Sequence, residues 1–437
     1  MIKNLLINNF RNYESARLSL EEGGSDIVVL YGENGEGKTN VLEAISTFSE
    51  LGGFKRSRYE EMVNNISNKP YWNIVLETEI TEFSSGYIAR ENPPPSSGTT
   101  WRRYLKVGDK AVRNLTAFYD ENYILWLTYE SDRLFMQSPS ARRDFLDMLC
   151  CVRNKAHGAN VKAYEKLTRE RIKILKKCNE QHGLKKDIDS WLQGVENKIS
   201  ALGIEIADRR IDVVRELEES QLSDVEFPRF KNWMTGPLED GIMTSCSECL
   251  VDEYVSELKR NRQKDCFSGS TAVGPNRSDW IVVREDSRPL SKPSESELME
   301  GDTEQRSGVY RDVHEHSSTG STQQKTDYEG LRGRSNEMPA RLLSAGEQKM
   351  LLTGAFFAFV MMSLRADHRN LILLLDDVVA HLDLKHRTLI FGYVKAIVAN
   401  YPNKTSVWLS GPERELFTGL EGEAEFFNIH DNNIERR

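Results

Sequence analysis

Apolar residues in the first part of the chain fall in short runs separated by turn-forming residues, a pattern that is typical of β-strands. Several of these runs are rich in β-branched and aromatic residues. We predict six strands here: Met1–Ile7, Asp26–Tyr31, Trp72–Ile80, Gly86–Arg90, Trp101–Val107 and Tyr123–Thr128. The segment Asn92–Gly98 contains consecutive prolines and is predicted to be a loop.

The hydrophobic pattern changes to a helical period near Ser140 and keeps it to about Glu219. Apolar positions such as Val161, Tyr164 and Leu167 recur at helical spacing on otherwise charged segments. This region is predicted to be an inserted helical arm.

Residues 286–336 are dominated by Ser, Thr, Glu, Gly and Gln, and their few apolar residues follow no period. Such a segment cannot bury enough surface to offset its chain entropy, so we predict that it is disordered. Order is expected to return at Ala340 with a helix through Arg365. The strands Leu371–Leu375 and Thr405–Leu409 follow, and the α/β pattern ends near Asn428.

A chain of 437 residues with 39% hydrophobic and 29% charged residues is typical of a soluble protein with two or three domains. No apolar stretch reaches the roughly 20 residues that span a bilayer. Six cysteines without a disulfide pattern fit a reducing compartment, so we expect a cytoplasmic protein without a membrane segment. The net charge of −9 argues against general coating of nucleic acid, and any DNA contact requires a local basic patch.

The segment Gly32–Thr39 reads G-E-N-G-E-G-K-T and matches the phosphate-loop motif G-x-x-x-x-G-K-[ST] directly after a predicted strand. There, backbone N–H groups at the start of a helix can converge on the phosphates of a nucleotide, and Lys38 can bridge the β- and γ-phosphates. The alternative is a glycine-rich turn that precedes Lys-Thr by chance. The candidate nucleotide-binding residues in this segment are Gly32, Glu33, Asn34, Gly35, Glu36, Gly37, Lys38, Thr39 and Asn40.

Two carboxylates, Asp376 and Asp377, directly follow the predicted buried strand Leu371–Leu375. This arrangement can hold Mg²⁺ beside bound phosphates, with Thr39 and Asp376 as ligands, directly or through water. Asp377 is then the candidate for orienting or deprotonating the attacking water. The alternative is a pair of solvated aspartates after a core strand.

The segment Leu342–Lys349 reads L-L-S-A-G-E-Q-K and is similar to the L-S-G-G-[QE] signature of ABC-type ATPases. In that class, Ser344 and the helix N-terminus with Gly346 would meet the γ-phosphate held by a second copy. Each chain would then hold half of each site, and ATP would drive formation of a homodimer. Ser344 and Glu347 also form a capping box, a purely structural alternative that is compatible with the first.

Two further polar residues follow the candidate strands. Asp383 stands where ABC heads carry a loop at the dimer seam. Ser410 follows the strand Thr405–Leu409 and is either a γ-phosphate sensor or a simple strand-end cap.

Roughly 300 residues separate the phosphate loop from the signature, and the chain resembles the RecF family of bacterial gap-repair ATPases. Six separated motifs carry this resemblance in order: Ile7–Tyr13, Gly37–Glu43, Ser138–Asp147, Gly274–Asp279, Leu343–Lys349 and Leu375–Asp383. The resemblance implies an ATP- and Mg²⁺-dependent switch that binds double-stranded and gapped DNA without sequence specificity, with RecO and RecR as partners in recombinase loading. It also implies roles in replication and the SOS response.

The implied fold is an α/β, ABC-type P-loop ATPase head with an antiparallel β subdomain and an inserted helical arm domain. The predicted domain divisions are 1–138 for the first part of the head, 139–265 for the arm, 266–285 for a return to the head, 286–336 for a disordered insertion and 337–437 for the second part of the head.

The chain departs from the family pattern at several positions. Asn276 stands where the family often has His, which puts any role for an imidazole there in doubt. The segment after Thr128 lacks the usual Ser-Pro-Glu-Asp, so Glu130 and Gln137 are both candidates for the nucleotide-sensing residue. Asp377 is one methylene shorter than the Glu of most ABC ATPases, and we expect slow, switch-like hydrolysis.

Between Arg153 and Lys177, nine basic residues face two acidic ones, which makes this stretch the candidate for DNA phosphate contacts. The alternative is an ordinary solvated helix face. The DNA-binding candidates are Lys162, Lys166, Arg169, Arg171, Lys173, Lys176 and Lys177. Cys246 and Cys249 form a C-x-x-C pair that would need a second chain to complete a zinc site, and the resemblance implies no such hook.

Three other functions remain to be weighed. A transporter ATPase subunit predicts an unbroken head, and a chromosome organiser predicts a far longer coiled coil than an arm of about 120 residues allows. A P-loop kinase would make the segment Ser344–Lys349 accidental.

Overall fold

The computed structural model describes residues 2–437 apart from 56, 65, 68, 90–100, 181–185, 222–226, 245–246 and 286–336. The predicted loop Asn92–Gly98, the predicted disordered segment 286–336 and Cys246 lie outside the described residues.

A six-stranded, mainly parallel sheet carries the phosphate loop. Its strands, in spatial order, are β15 (Asn433–Arg436), β14 (Glu425–His430), β3 (Ile27–Tyr31), β13 (Thr405–Gly411), β12 (Asn370–Asp376) and β8 (Asn122–Thr128). The strands from β14 to β8 are parallel, and β15 is antiparallel at the edge. The central strands are nearly continuous apolar runs because both faces of the sheet are covered. Their carboxyl ends meet at one edge, which brings the phosphate loop, Asp376 and Ser410 together.

An antiparallel sheet forms the β subdomain. Its strands, in spatial order, are β2 (Tyr13–Ser19), β1 (Ile2–Phe10), β4 (Tyr71–Thr78), β5 (Glu82–Ala89), β6 (Trp101–Val107) and β7 (Lys110–Val112). Buried and partly exposed residues alternate along β4, as expected for a sheet with one face on the core. Helix α1 (Lys38–Ser46) packs its apolar side chains into the core that this sheet shares with β3.

Helices make up most of the region between the two parts of the head, which confirms the helical period predicted from Ser140 to Glu219. The helices after α1 are α2 (Thr116–Glu121), α3 (Pro139–Arg153), α4 (His157–Glu180), α5 (Lys186–Glu219), α6 (Pro237–Thr244), α7 (Ser247–Arg260), α8 (Arg262–Ser268), α9 (Ala345–Ala366) and α10 (Leu384–Asn400). The long pair α4 and α5 packs around its own apolar cluster.

Three strands that the sequence pattern did not predict form a small antiparallel sheet: β9 (Phe230–Thr235), β10 (Asp279–Glu285) and β11 (Glu337–Pro339). β9 lies within the predicted arm segment, and its partner β10 lies in the predicted return to the head. The divisions 139–265 and 266–285 therefore remain a prediction about domains, although the helical content of the first is clear.

The motif Ser138–Asp147 joins the arm to this small sheet. Arg142 forms a two-pronged ion pair with Asp279 of β10, with Nε to Oδ1 at 2.7 Å and Nη2 to Oδ2 at 2.8 Å. Asp147 is buried and accepts hydrogen bonds from the Nε and Nη2 atoms of Arg210 on α5 at 2.8 Å. The motif is thus a structural joint between the arm and the head.

Helix α9 is the central helix of the largest apolar core. It is the one helix among the described residues that is long and apolar enough to cross a membrane, but 78% of its apolar window is buried within the protein. Its composition therefore reflects burial between the parallel sheet and the arm.

Candidate functional site

Glycines shape the phosphate loop because the backbone there leaves no room for side chains. Gly32 has φ 150°, and a β-carbon on it would lie 2.2 Å from the carbonyl oxygen of Ile429. Gly37 has φ 110°, and a β-carbon there would lie 2.4 Å from Nδ2 of Asn12. The loop can therefore turn tightly from β3 into α1 only with glycine at these positions.

Lys38 lies inside the curve of this loop. Its side chain is buried, and Nζ donates hydrogen bonds to the carbonyl oxygens of Gly32 at 2.6 Å and Glu33 at 2.8 Å. Burial lowers the pKa of Lys38, while the nearby carboxylates of Asp377 and Asp376 oppose that shift. An ammonium group hydrogen-bonded to backbone carbonyls beside a helix N-terminus is well placed to receive phosphate oxygens.

Asp376 accepts two hydroxyl groups on one oxygen. Thr39 Oγ1 donates to its Oδ1 at 3.0 Å, and Ser410 Oγ donates to the same atom at 2.7 Å. The carboxylate is 6% exposed, and this burial raises its pKa, against the effect of those hydrogen bonds. A hydroxyl and a buried carboxylate in contact are hard oxygen ligands, so the residues fit Mg²⁺ beside bound phosphates.

A backbone hydrogen bond fixes the position of Asp377. Its φ is 54°, in the left-handed region, and its N–H donates to Ser410 Oγ at 3.0 Å. Its Oδ1 is buried and has no hydrogen-bond partner among the described residues. An acceptor left open beside Lys38 and Asp376 suits the predicted role of Asp377 toward a water molecule.

Ser344 is exposed at the N-terminus of α9. Its Oγ donates to Glu347 Oε2 at 2.7 Å and accepts from the Glu347 N–H at 3.3 Å. The capping box is therefore present. Among the described residues, the Ser344 side chain hydrogen-bonds only with Glu347, and a β-carbon on Gly346 beside it would meet open space.

Asp383 is likewise an exposed N-cap, and it accepts the His386 N–H at 2.9 Å. That hydrogen bond lowers the pKa of Asp383, so it stays ionised at neutral pH. Large apolar side chains stand exposed beside both caps: Leu342 is 67% exposed and Leu384 is 72% exposed.

The candidate sensing segment begins beside the aspartate pair, because Thr128 at the end of β8 pairs with Asp376. Gln137 folds back on this segment, and its Nε2 donates to the carbonyl oxygen of Glu130 at 2.6 Å. The structure places both candidates in one turn without choosing between them.

Asn12 near the phosphate loop is a residue that the sequence predictions missed. Its Nδ2 donates to the carbonyl oxygen of Glu36 at 2.9 Å, and its Oδ1 accepts from Asn40 Nδ2 at 2.8 Å. Its neighbour Arg11 pairs with the fully buried Glu43 of α1. The motif Ile7–Tyr13 contains this signal, but the contacts depend on β1 lying against the loop.

Six of the seven DNA-binding candidates are exposed on α4, and the seventh was wrong. The exposed ones are Lys162, Lys166, Arg169, Lys173, Lys176 and Lys177. Arg171 is fully buried, where it pairs with Glu196 at 2.9 Å and Asp265 at 2.7 Å. It cannot reach a DNA phosphate because its guanidinium is used within the arm core.

The structure leaves two minor predictions undecided. Cys249 is exposed, but its partner Cys246 lies outside the described residues, so the zinc alternative is not tested. Asn276, in the position of the family histidine, is exposed and accepts a hydrogen bond from the Tyr164 hydroxyl at 3.4 Å.

The fold and the site together define an ABC-type ATPase head with an inserted helical arm, as predicted. A family model described as the AAA ATPase domain matches residues 1–307. The DNA replication and repair protein RecF of Brucella abortus (strain 2308) is 30% identical over 431 residues, which cover 98% of this chain and 94% of the relative. RecF of Rhizobium rhizogenes is 27% identical over 436 residues, which cover 99% and 98%. The chain belongs to the RecF family, and the predicted resemblance is confirmed.

Solved structures share the fold over the whole chain. A RecF with bound ATP, described as the recombination mediator protein of the RecFOR pathway, has a TM-score of 0.70 and 19% identity and covers 100% of this chain and 97% of its own. A second RecF structure with an ATP analogue has a TM-score of 0.69, 19% identity and coverage of 100% and 98%.

Proposed function

We propose that this protein is a cytoplasmic, ATP-dependent DNA-binding protein of recombinational repair and replication-fork maintenance. ATP would join two copies on double-stranded or gapped DNA, and slow hydrolysis would release them. The observation that carries this proposal is the separation of the site: Lys38, Thr39 and Asp376 lie together, while Ser344 stands exposed at another helix N-terminus.

The residues at the sheet edge divide the work of binding and hydrolysis. Lys38 and the loop backbone would bind the phosphates, and Thr39 and Asp376 would hold Mg²⁺. Bound ATP would supply the electrophilic γ-phosphoryl group, and Mg²⁺ would supply positive charge that offsets the negative charge of the phosphates. Asp377 accepts a hydrogen bond from the attacking water and aligns it. Because its side chain is one methylene shorter than that of Glu, it holds the water less firmly, and we expect slow ATP turnover.

The second copy supplies the opposite wall of each site. Ser344 Oγ and the N-terminus of α9 at Gly346 present a hydroxyl and N–H groups toward the γ-phosphate bound by the partner copy, and Asp383 lies beside them at the dimer seam. The exposed apolar side chains Leu342 and Leu384 beside them would be buried in this contact.

The exposed basic side chains of α4 are the proposed DNA contacts. Six exposed ammonium or guanidinium groups along one arm helix can neutralise phosphates, and the sequence shows no base-reading motif, so binding depends on DNA structure and on salt. The chain as a whole is acidic, which confines this attraction to the arm.

The relatives and solved structures support the biological setting. They are named as DNA replication and repair proteins and as recombination mediators of the RecFOR pathway. RecO and RecR are therefore the proposed partners in loading recombinase at gaps, within the DNA-damage (SOS) response. The transporter, chromosome-organiser and kinase alternatives are not needed once the chain is placed in this family.

Binding of gapped, duplex and single-stranded DNA with and without Mg·ATP tests the proposal. We expect Mg·ATP to raise affinity for gapped and duplex DNA at least tenfold, and we expect Lys38→Met to remove that increase. Equal affinity for every DNA with and without Mg·ATP would refute the switch.

A further inference from the structure

Lys349 is a buried lysine whose charge the ATPase roles described above do not use. It lies five residues after Ser344 in α9, and its side chain is 7% exposed. Its Nζ pairs with Asp132 Oδ2 at 2.7 Å, although the two residues are 217 positions apart in the chain. A buried ammonium is stable only while its partner stays in place, so these two residues must move together.

A third segment meets the same ammonium. Lys349 Nζ also donates to the carbonyl oxygen of Ala380 at 3.3 Å, in the turn between Asp377 and Asp383. The imidazole of His381, the next residue, lies against the ring of Tyr129 with centroids 6.3 Å apart. Three segments that are distant in sequence are thus held by one side chain and its surroundings.

The charges around Asp132 favour the pair. Burial raises the pKa of Asp132, while Lys349 and, more weakly, His381 oppose that shift. Lys349 is therefore the main group that stabilises the charged form of Asp132, and the two residues form one ion pair. Loss of either charge leaves the other buried without compensation.

The three segments belong to the two sides of the proposed dimer site. The 3-10 turn Tyr129–Met136 follows β8 beside Asp376 and includes the candidate Glu130, so it lies next to the nucleotide of its own chain. In the proposed function, Ser344 faces the nucleotide of the other copy and Asp383 lies at the dimer seam. Lys349 lies between these two sides.

We propose that Lys349 is a positioning residue that couples nucleotide binding in its own chain to the placement of Ser344 and Asp383 for the partner. When the turn Tyr129–Met136 adjusts to a bound γ-phosphate, Asp132 moves, and Lys349 carries that shift to the start of α9 and to the Asp383 loop. The inference rests on the proposed function and adds the regulation of its dimer face.

The variants Lys349→Met and Asp132→Asn test this coupling. Met keeps the length of the lysine stem, and Asn keeps an oxygen acceptor, so both retain most of the packing. Arg365→Met is the matched control, because it removes a positive charge from the exposed end of the same helix. Two quantities are measured in each full-length variant: binding of a fluorescent ATP analogue by dilute monomer, and the Mg·ATP concentration that produces dimer in sedimentation.

We expect both single variants to bind the analogue within about twofold of the unaltered protein and to need at least tenfold more Mg·ATP to dimerise. The double variant should need no more Mg·ATP to dimerise than either single variant, because each single change already removes the same interaction. The control should dimerise normally. If Lys349→Met does not fold, Asp132→Asn alone decides.

Dimerisation of Asp132→Asn or Lys349→Met at the ordinary Mg·ATP concentration overturns the inference and leaves the proposed function standing. Additive losses in the double variant also overturn it, since they indicate two separate structural contributions. If the unaltered protein itself forms no dimer with Mg·ATP, it is the proposed function that fails.

Discussion

Ser410 holds both aspartates of the site through a single hydroxyl group. It donates to Asp376 Oδ1 at 2.7 Å and accepts the Asp377 N–H at 3.0 Å. This arrangement keeps Asp377 in a left-handed backbone conformation that non-glycine residues adopt rarely. The hydroxyl acts as a strand-end cap here, and a role toward γ-phosphate stays a prediction.

Asp377→Asn should separate ATP binding from hydrolysis. The amide keeps the shape of the side chain and its backbone hydrogen bond to Ser410, but it is a poorer acceptor for the water proton. We expect ATP affinity to stay within a few-fold and turnover to fall by roughly 10²-fold. Single-turnover hydrolysis and equilibrium ATP binding measure the two effects separately.

The matched control is Asp376→Asn, which removes the metal ligand instead. It should weaken Mg²⁺-dependent ATP binding while raising the thermal stability of the nucleotide-free protein, because a buried charge whose pKa is raised by burial is removed. Normal turnover in Asp377→Asn would show that another group aligns the water.

Residue types at the site were predictable from the sequence, but their contacts were not. The phosphate-loop and aspartate motifs have fixed spacing, which identifies Lys38, Thr39 and Asp376. The Ser410 contact and the part played by Asn12 depend on which strands become neighbours in space. No local pattern specifies that.

At the scale of elements, helix α4 also shows that contacts with distant residues cannot be predicted from local sequence. The basic stripe was visible in the sequence, and its exposed members were assigned correctly to a surface. Arg171 was grouped with them, yet it stands seven residues after Tyr164 and four before Leu175, on the apolar face of the helix. That spacing signals burial, and only the acids on other elements, Glu196 and Asp265, explain why a charge is tolerated there.

Lys173→Gln should therefore weaken DNA binding without changing stability, whereas Arg171→Gln should lower the stability of the protein. Lys173→Gln removes one phosphate contact, so affinity for duplex DNA falls and the slope of log affinity against log salt decreases by about 1. Its unfolding temperature should not change. Arg171→Gln leaves Asp265 buried without its ion-pair partner, while Glu196 keeps its ion pair with Arg262, and the change should cost about 3–5 kcal/mol of stability.

DNA titrations at several salt concentrations and thermal unfolding distinguish the two variants. If the slope of log affinity against log salt is unchanged in Lys173→Gln, the proposal that α4 contacts DNA is contradicted. An unchanged unfolding temperature in Arg171→Gln would contradict its place in the arm core.

Helix α4 also meets the head near Glu50, where a pH effect is expected. Glu50 lies beside Cys151 and close to Arg369, and its Oε2 has no hydrogen-bond partner in the described structure. Burial raises the pKa of Glu50 from 4.5 to about 7. The carboxyl is protonated in both the folded and unfolded states below pH 4.5, and the unfolded chain ionises first as pH rises. Stability therefore falls between about pH 4.5 and pH 7.

Glu50→Gln should remove this loss. We expect the variant to be more stable than the unaltered protein at pH 8 by about 2 kcal/mol, after allowance for partial exposure, and the difference to vanish below about pH 4. Urea unfolding at the two pH values measures it. A difference that is the same at both would show that Glu50 ionises normally.

At the scale of the whole molecule, the fold class followed from the order of motifs, whereas the small sheet β9–β10–β11 did not. Its strands come from three distant stretches, and β11 has only 3 residues. Short strands with distant partners carry little local signal. One apolar core nevertheless joins β3, α9 and α3, so packed side chains connect the nucleotide edge with the signature helix.

The central claim is that one nucleotide site is built from two copies of the chain. Mixing two inactive variants tests it most directly. Lys38→Ala lacks the phosphate grip but retains Ser344, and Ser344→Arg retains the grip but blocks the partner's site. If the sites are shared, a mixed dimer contains one complete site, and Mg·ATP hydrolysis in an equimolar mixture should clearly exceed the sum of the two variants alone. Hydrolysis that stays at that sum at every concentration, or a Ser344→Arg chain that hydrolyses ATP normally by itself, would contradict the account.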